Sequence, residues 1–367
     1  MKVLHIIKSL GRGGAEMLLP ETLALHQTQQ IEFHYIYFLP WKNQMVAAIE
    51  ANGGKVMCMP ASNNLQLIAK ASAIAAYIKQ HQIQVVHCHL PWAGIVGRIA
   101  GRMAKVPVIY TEHNKWERYH KATYWLNKIT FPWQQLVVAV SNDVAESIQK
   151  HYKAKQPKIS TILNGVNTEK FTRKGTIPAN LHIPAGALVI GTVSVFRIQK
   201  RLDVWLSVAA ALRQIHPHVY FIIVGDGPLR EMIHAKAQAL GLNDVIHFAG
   251  LQEEVRPYFA WMDVFMMASE FEGLPIALLE AMSMGCIPVC TNAGGIGEVV
   301  RHQQEGLIVP VQEPMLLVQA LDQLIQQWDT TACQFANAAR ARVEDRFSLT
   351  AMVKSLEEVY QAVGKSA

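Results

Sequence analysis

The chain has 367 residues, of which 51% are apolar and 17% charged, with 23 Gly and 16 Pro spread along its length. This is enough apolar material for two buried cores, and it excludes disorder as a main theme. Its unbroken apolar runs, such as residues 136–140, fall far short of the roughly 20 residues that cross a bilayer.

The charge is divided unevenly. Residues 1–174 carry 21 Lys plus Arg against 9 Asp plus Glu, and residues 175–367 carry 13 against 19. The first half is therefore suited to an anionic partner and the second half is not. Nucleic acid, anionic lipid and a phosphorylated substrate all satisfy that requirement. No zinc-finger, RNA-recognition or basic-zipper pattern accompanies the basic half, which makes nucleic acid the weakest of the three.

The opening MKVLHIIKSLGRGG reads as a first strand rather than a leader, because His5 and Lys8 interrupt the apolar run and no small-residue cleavage site follows. Gly11, Gly13 and Gly14 then lead into a helix, where backbone N–H groups can approach an anion. Glu16 stands where a dinucleotide fingerprint needs its third glycine, which argues against a dehydrogenase and leaves a phosphate site open. Tight strand-to-helix packing alone would also use these glycines.

The runs KVLHII, FHYIYFL, KVMCMP, VVHCH, PVIYTEH and LVVAVS alternate with helical segments, the pattern of a parallel sheet flanked by helices. His87 and His89 end one of these strands and His113 ends another. A metal site would need a further ligand, and Cys88 is turned by strand alternation to the opposite face. Neutral imidazoles donating to hydroxyl or phosphate fit better, and one of the three reads equally well as a satisfied core residue. Next comes KWERYHKATYWLNKITFPW, residues 115–133, which mixes six aromatic with four basic side chains. It suits a membrane interface, or equally a helix with aromatics inward and lysines solvated.

After GTIPANLHIPAG (175–186) the alternation begins again with ALVIGTVSVF, VYFIIVGDG, VIHFAG, DVFMMAS, IPVCTN and GLIVP. The restart and the charge switch coincide, which sets units of 1–174 and 175–350 with a ligand cleft between them at the strand ends. Cys58, Cys88, Cys286, Cys290 and Cys333 are odd in number and lack a zinc spacing, as reduced thiols would be. Cys286 and Cys290 bracket an apolar strand and are expected to be buried.

Arg197 and Lys200 follow ALVIGTVSVF, where two cations could neutralise a diphosphate or simply open a solvated helix. Farther on, SEFEGLPIALLEAMSMGCIPVCTNAGGIGE places Glu272 in the turn after a strand and Glu280 about two turns into an apolar helix. A carboxylate buried there must accept hydrogen bonds, and a vicinal diol is a natural donor.

At these residues the sequence resembles the retaining nucleotide-sugar glycosyltransferases of family 4. GRGGAE, VVHCHLPWAGIVGRIAG, VPVIYTEHN, VVAVSNDVAESI, ILNGVNTEKF, FRIQKRLD, VGDGPLR, VIHFAGLQEEV and the Glu272–Glu280 segment match family blocks in order. The resemblance implies an α/β GT-B fold of two facing Rossmann-like domains, with the helix at about 351–367 packing back on the first. It implies that Glu280 binds the ribose hydroxyls of the nucleotide, and that Glu272 with the amides of Gly273 and Leu274 holds the donor sugar. Arg197 and Lys200 would take the diphosphate, His113 would lie against the sugar near the reacting carbon, and His89 would be among the substrate-binding residues. Gly13 and Gly14 would close over the phosphates, Gly250 and Leu251 would contact the base, and Glu298 would line the phosphate side. One departure is visible: many members carry Gly-Arg five residues before the Lys, and Ser194 and Val195 stand there in this chain.

The implied reaction is transfer of a sugar with retained configuration to a glycan or lipid-linked hydroxyl, in cell-surface polysaccharide or glycolipid synthesis. No metal cofactor is expected, since cations at the β-phosphate stabilise the leaving group. The expected location is the cytoplasm, with the basic half against the anionic inner face of the cell membrane and no nucleic-acid partner. A non-hydrolysing nucleotide-sugar epimerase and a non-catalytic nucleotide-sugar binder are the alternatives, and release of nucleoside diphosphate discriminates among them.

Overall fold

A computed structural model describes residues 1–26, 30–184 and 186–365. Among these, the first sheet has seven strands: β1 (Lys2–Ile6), β2 (Glu32–Tyr37), β3 (Lys55–Cys58), β4 (Val85–His89), β5 (Val108–Glu112), β6 (Leu136–Ala139) and β7 (Lys158–Thr161). They run parallel in the order β3-β2-β1-β4-β5-β6-β7. Every residue of β4 and β5 is buried, including the polar His87, His89, Thr111 and Glu112, which must therefore be hydrogen-bonded within the fold. The core joins Val3, Phe33, Tyr35, Val85 and Ile109 to Leu356, Tyr360 and Val363 of the last helix, Leu349–Gly364. That helix has the apolar spacing expected of it, and residues 366 and 367 at its end lie outside the described residues.

The second sheet holds β8 (Leu188–Val193), β9 (Val219–Val224), β10 (Ile246–Gly250), β11 (Val264–Met267), β12 (Ile287–Thr291) and β13 (Leu307–Val309). Its order is β10-β9-β8-β11-β12-β13, again parallel. This is the doubly wound arrangement, in which the crossover direction reverses between β8 and β11 and leaves a crevice beyond their carboxyl ends. In the first sheet the same reversal lies between β1 and β4.

The chain divides into Met1–Asn164 with Leu349–Ala367, and Gly165–Ser348. The division thus falls earlier than the 174/175 junction set by the charge switch. Residues 165–174 are held by the second unit through hydrogen bonds: Arg173 donates to the carbonyls of Met284 at 2.8 Å and Ala260 at 3.0 Å, and Ser283 donates to that of Phe171 at 2.6 Å. The charge composition changes at 174/175, and these bonds show that the packing divides earlier.

Candidate active site

Three consecutive loops at the carboxyl ends of β8, β11 and β12 build a polar cluster in the second unit. The chain leaving β8 forms a short 3-10 turn, Ile198–Lys200, which is tied to the loop after β11 by a Glu270 N–H to Gln199 carbonyl bond of 2.8 Å. This tie brings Lys200 to Glu272: Nζ donates to Oε1 at 2.6 Å. Ser269 Oγ donates to the same oxygen at 2.7 Å. Glu272 is 9% exposed, so its charge is compensated by one cation and one hydroxyl instead of by water.

The β12 loop closes the cluster from the other side. Gly294 has φ +59°, and a Cβ there would lie 1.9 Å from the Glu272 carbonyl oxygen. Only a glycine permits that backbone approach. The adjacent Gly295 N–H donates to the Gly273 carbonyl at 2.9 Å, and Thr291 Oγ1 donates to the Ser269 carbonyl at 2.6 Å. Gly273 and Leu274 are both buried in this loop.

Glu280 is 6% exposed in the helix Ile276–Ser283. It is the fifth helical residue rather than two turns in, because Pro275 occupies the N-cap and delays the helix start. Glu298 is half-buried in the single turn Ile296–Val299 that follows Gly295, and its carbonyl accepts from Arg342 at 3.0 Å. Arg197 is exposed at the start of the 3-10 turn; of the two cations, Lys200 is the one seated on a carboxylate. Gly250 ends the edge strand β10 with φ +68°, and Leu251 beside it is 59% exposed. They lie three strands from β11, away from the Lys200–Glu272 pair.

In the first unit Gly13 is the N-cap of the helix Gly14–Leu25. Glu16 folds back over that cap: it accepts from Ser9 Oγ at 2.9 Å, and a Cβ on Gly13 would come within 2.3 Å of its other carboxylate oxygen. A carboxylate therefore already occupies the favourable end of the helix dipole.

The histidines lie on one face of the sheet. Register pairs His5 of β1 with His87 of β4, and His89 with Thr111 of β5. His5 Nδ1 and His89 Nε2 are 2.9 Å apart, and His89 Nδ1 lies 3.4 Å from His113 Nε2. His87 bonds Thr111 Oγ1 at 2.6 Å and Tyr360 OH at 2.7 Å, so it is a satisfied core residue. His5, His87 and His89 place ring nitrogens within 4.8 Å of one another, but these hydrogen bonds account for them. Cys88 is buried and its Sγ faces Gly97, as alternation requires. The five cysteines are unpaired, with Cys286 and Cys290 buried. Sequence reasoning missed His5, which follows the same alternation as His87 and His89, and Tyr360, whose apolar neighbours disguised it as packing.

Burial holds these imidazoles neutral. It pulls His87 down to about 3 and His113 to about 4, and holds His5 and His89 well below the ordinary 6.5. Glu112, at the end of β5, is buried and pushed up to about 7 although it accepts from Tyr119 OH at 2.5 Å, Trp116 Nε1 at 2.9 Å and Tyr110 OH at 3.1 Å. Below pH 6.5 the unfolded chain takes a proton at His87 that the fold refuses, which removes about 3 kcal/mol by about pH 4.5. Glu112 works in the opposite direction, its contribution being complete below 4.5 and lost as the pH rises to about 7. His5, His89 and His113 share the sign of His87 and tip the balance. The first unit is expected to melt at a lower temperature at about pH 5 than at about pH 7.5; calorimetry giving an equal or higher transition at the acid pH would refute this.

The segment 115–133 is not one helix. It comprises a 3-10 turn (Trp116–Arg118), a helix (Lys121–Thr130) and a second 3-10 turn (Phe131–Trp133). Trp116 and Phe131 are buried, whereas Trp125 is 58% and Ile129 60% exposed. Lys128 Nζ lies over the Trp125 ring at 5.6 Å and Arg102 over that of Trp133 at 4.9 Å. Part of the segment is thus core and part is exposed surface.

Two family models match the chain: Glycosyltransferase Family 4 over residues 13–170 and Glycosyl transferases group 1 over residues 174–342. The UDP-Gal:alpha-D-GlcNAc-diphosphoundecaprenol alpha-1,3-galactosyltransferase of Escherichia coli is 26% identical over 81% of this chain and 81% of its own. The amylovoran biosynthesis glycosyltransferase AmsK of Erwinia amylovora is 28% identical over 56% of this chain and 51% of its own. Among solved structures, Anabaena Alr3699/HepE in complex with UDP-glucose superposes with a TM-score of 0.88 at 21% identity, covering 99% of this chain and 100% of that one. The two Rossmann-like units thus have the GT-B fold.

Proposed function

Since the chain belongs to the family 4, group 1 glycosyltransferases, we propose that it transfers a sugar from a nucleoside diphosphate sugar to a hydroxyl of a glycan or lipid-linked acceptor, with retention of configuration. Family membership sets aside the epimerase and the non-catalytic binder. The observation that carries the reading is the Lys200–Glu272 contact at 2.6 Å, at the point where the second sheet reverses direction.

In this reading Lys200, with Arg197 beside it, faces the diphosphate, and Glu272 with the Gly273 and Leu274 amides holds the sugar. Glu280 binds the ribose diol, Glu298 lines the phosphate side, and Gly250 and Leu251 border the base. The resemblance further assigns Gly13 and Gly14 of the first unit to the phosphates and His113 to the sugar. The bond from the anomeric carbon to the β-phosphate oxygen breaks as the acceptor oxygen bonds to the same face. The acceptor's proton passes to the departing phosphate. Lys200 stabilises the negative charge that grows there, the role a divalent cation fills elsewhere, so no metal is required.

The test is incubation with a panel of nucleotide sugars and a polyprenyl diphosphate-linked sugar, following nucleoside diphosphate and glycosylated product with and without a chelator. Chelator-insensitive formation of an axial or equatorial linkage matching that of the donor supports the proposal. An inverted linkage, or an absolute metal requirement, removes the corresponding part of it. The polymer and lipid-linked names of the relatives support a cell-surface glycan as product.

The basic first half and the exposed Trp125 and Ile129 support contact with an anionic membrane at the inner cell surface. Among the described residues, no helix is long and apolar enough to cross a membrane. The protein is expected to float with phosphatidylglycerol vesicles at low salt, and Trp125→Ala with Ile129→Ser to reduce the bound fraction by about tenfold. Equal flotation of the double variant would exclude this face.

A further inference from the structure

The first unit contains a continuous chain of hydrogen-bonding groups whose inner members the proposed reaction does not use. Thr111 Oγ1 meets His87 Nε2 at 2.6 Å, and His87 Nδ1 meets Tyr360 OH at 2.7 Å. Tyr360 OH then meets His5 Nε2 at 3.5 Å, His5 Nδ1 meets His89 Nε2 at 2.9 Å, and His89 Nδ1 meets His113 Nε2 at 3.4 Å. The two longest links are the weakest, and the 2.9 Å bond at the centre is the strongest of the ring-to-ring contacts.

A neutral imidazole has one N–H and one bare nitrogen, and a phenol has one proton to give. Each link can therefore hold only one proton, and placing it in one link dictates the next. If Tyr360 donates to His5 Nε2, then His5 carries its proton on Nδ1 and gives it to His89. His89 does the same toward His113, and His87 donates from Nδ1 to Tyr360. In the reverse polarity all four rings carry the proton on Nε2. Mixed arrangements set two N–H groups or two bare nitrogens against each other, or leave the Tyr360 hydroxyl proton without an acceptor, in a dry interior. The burial that keeps the rings neutral is what enforces this rule.

We propose that Tyr360, His5 and His89 form a proton-ordered relay that sets the tautomer of His113, so that the last helix of the chain fixes which ring nitrogen His113 offers to a ligand. Tyr360, His5 and His89 are positioning residues. The consequence for turnover rests on the placement of His113 against the donor sugar; the relay itself does not. Three imidazoles this close could also take a metal, but a metal would need the lone pairs already committed to neighbouring rings.

Long-range proton–nitrogen correlation spectra of the full chain with ¹⁵N-labelled histidine, without ligand, test the relay directly. His5, His87, His89 and His113 are expected to show one common tautomer. Two different tautomers among His5, His89 and His113 would overturn the proposal, as would binding of one equivalent of Zn²⁺ that shifts the His5 and His89 nitrogens together. Tyr360→Phe keeps the ring and removes the hydroxyl, and is expected to convert His113 to a mixture of tautomers. With that change kcat should fall on the order of tenfold, while the donor KM stays within about twofold. A His113 spectrum unmoved by Tyr360→Phe also overturns the relay. A moved spectrum with unchanged kcat upholds the relay and removes His113 from the proposed site.

Discussion

Lys200→Ala is expected to lower kcat for glycosyl transfer by about 10²–10³-fold, the usual loss when one preorganised donor to a developing anion is removed. The side chain is positioned before any donor arrives, because Glu272 Oε1 holds Nζ at 2.6 Å and the Gln199–Glu270 backbone bond fixes the turn that carries it. The variant is expected to fold, since Glu272 retains the Ser269 hydroxyl as a partner. Arg197→Ala should cost less, about tenfold, because Arg197 is exposed and its charge is screened by water. Steady-state kinetics on the three proteins, with circular dichroism as the folding control, decide the matter. Equal losses in the two variants would show that the lysine has no privileged position, and full activity in Lys200→Ala would remove the assigned site.

Gly294→Ala is expected to be among the most damaging single methyl additions in the second unit. The new Cβ would sit 1.9 Å from the Glu272 carbonyl oxygen on a backbone at φ +59°, so strain and collision add. The cost in stability should be about 3 kcal/mol, with donor binding lost because the loop bearing Glu272, Gly273 and Leu274 must move. Gly241→Ala is the control: φ is +68°, nothing lies within 4 Å of the added atom, and about 1 kcal/mol is expected. Denaturant unfolding of both variants measures the difference. Similar costs would mean that the close approach of the two loops is not what the glycine provides.

Both sheets were legible in the sequence because parallel strands buried on two faces leave short runs rich in branched apolar residues, as in β8 and β9. β7 was not, since Lys158–Thr161 is a short polar edge strand with no fully buried residue. Lys200, Glu272 and Glu280 could be nominated from their places after strands and in an apolar helix. The bond between the first two could not, because they are 72 residues apart and meet only when β8 and β11 lie side by side. Ser269 carried no signal beyond being a small polar residue at a strand end. In the sequence His5 stands only as an interruption of an apolar run. Its partners stand 84 and 355 residues away, and no local pattern spans such separations.

The placement of Leu349–Gly364 bears on how this protein is made. During synthesis the first sheet emerges from the ribosome early, yet the face carrying His5 and His87 stays uncovered until the final helix arrives. Leu356, Tyr360 and Val363 reach that face only after the entire second unit has been translated. The amino-terminal unit therefore keeps an apolar face uncovered, and open to aggregation, until the second unit has been translated.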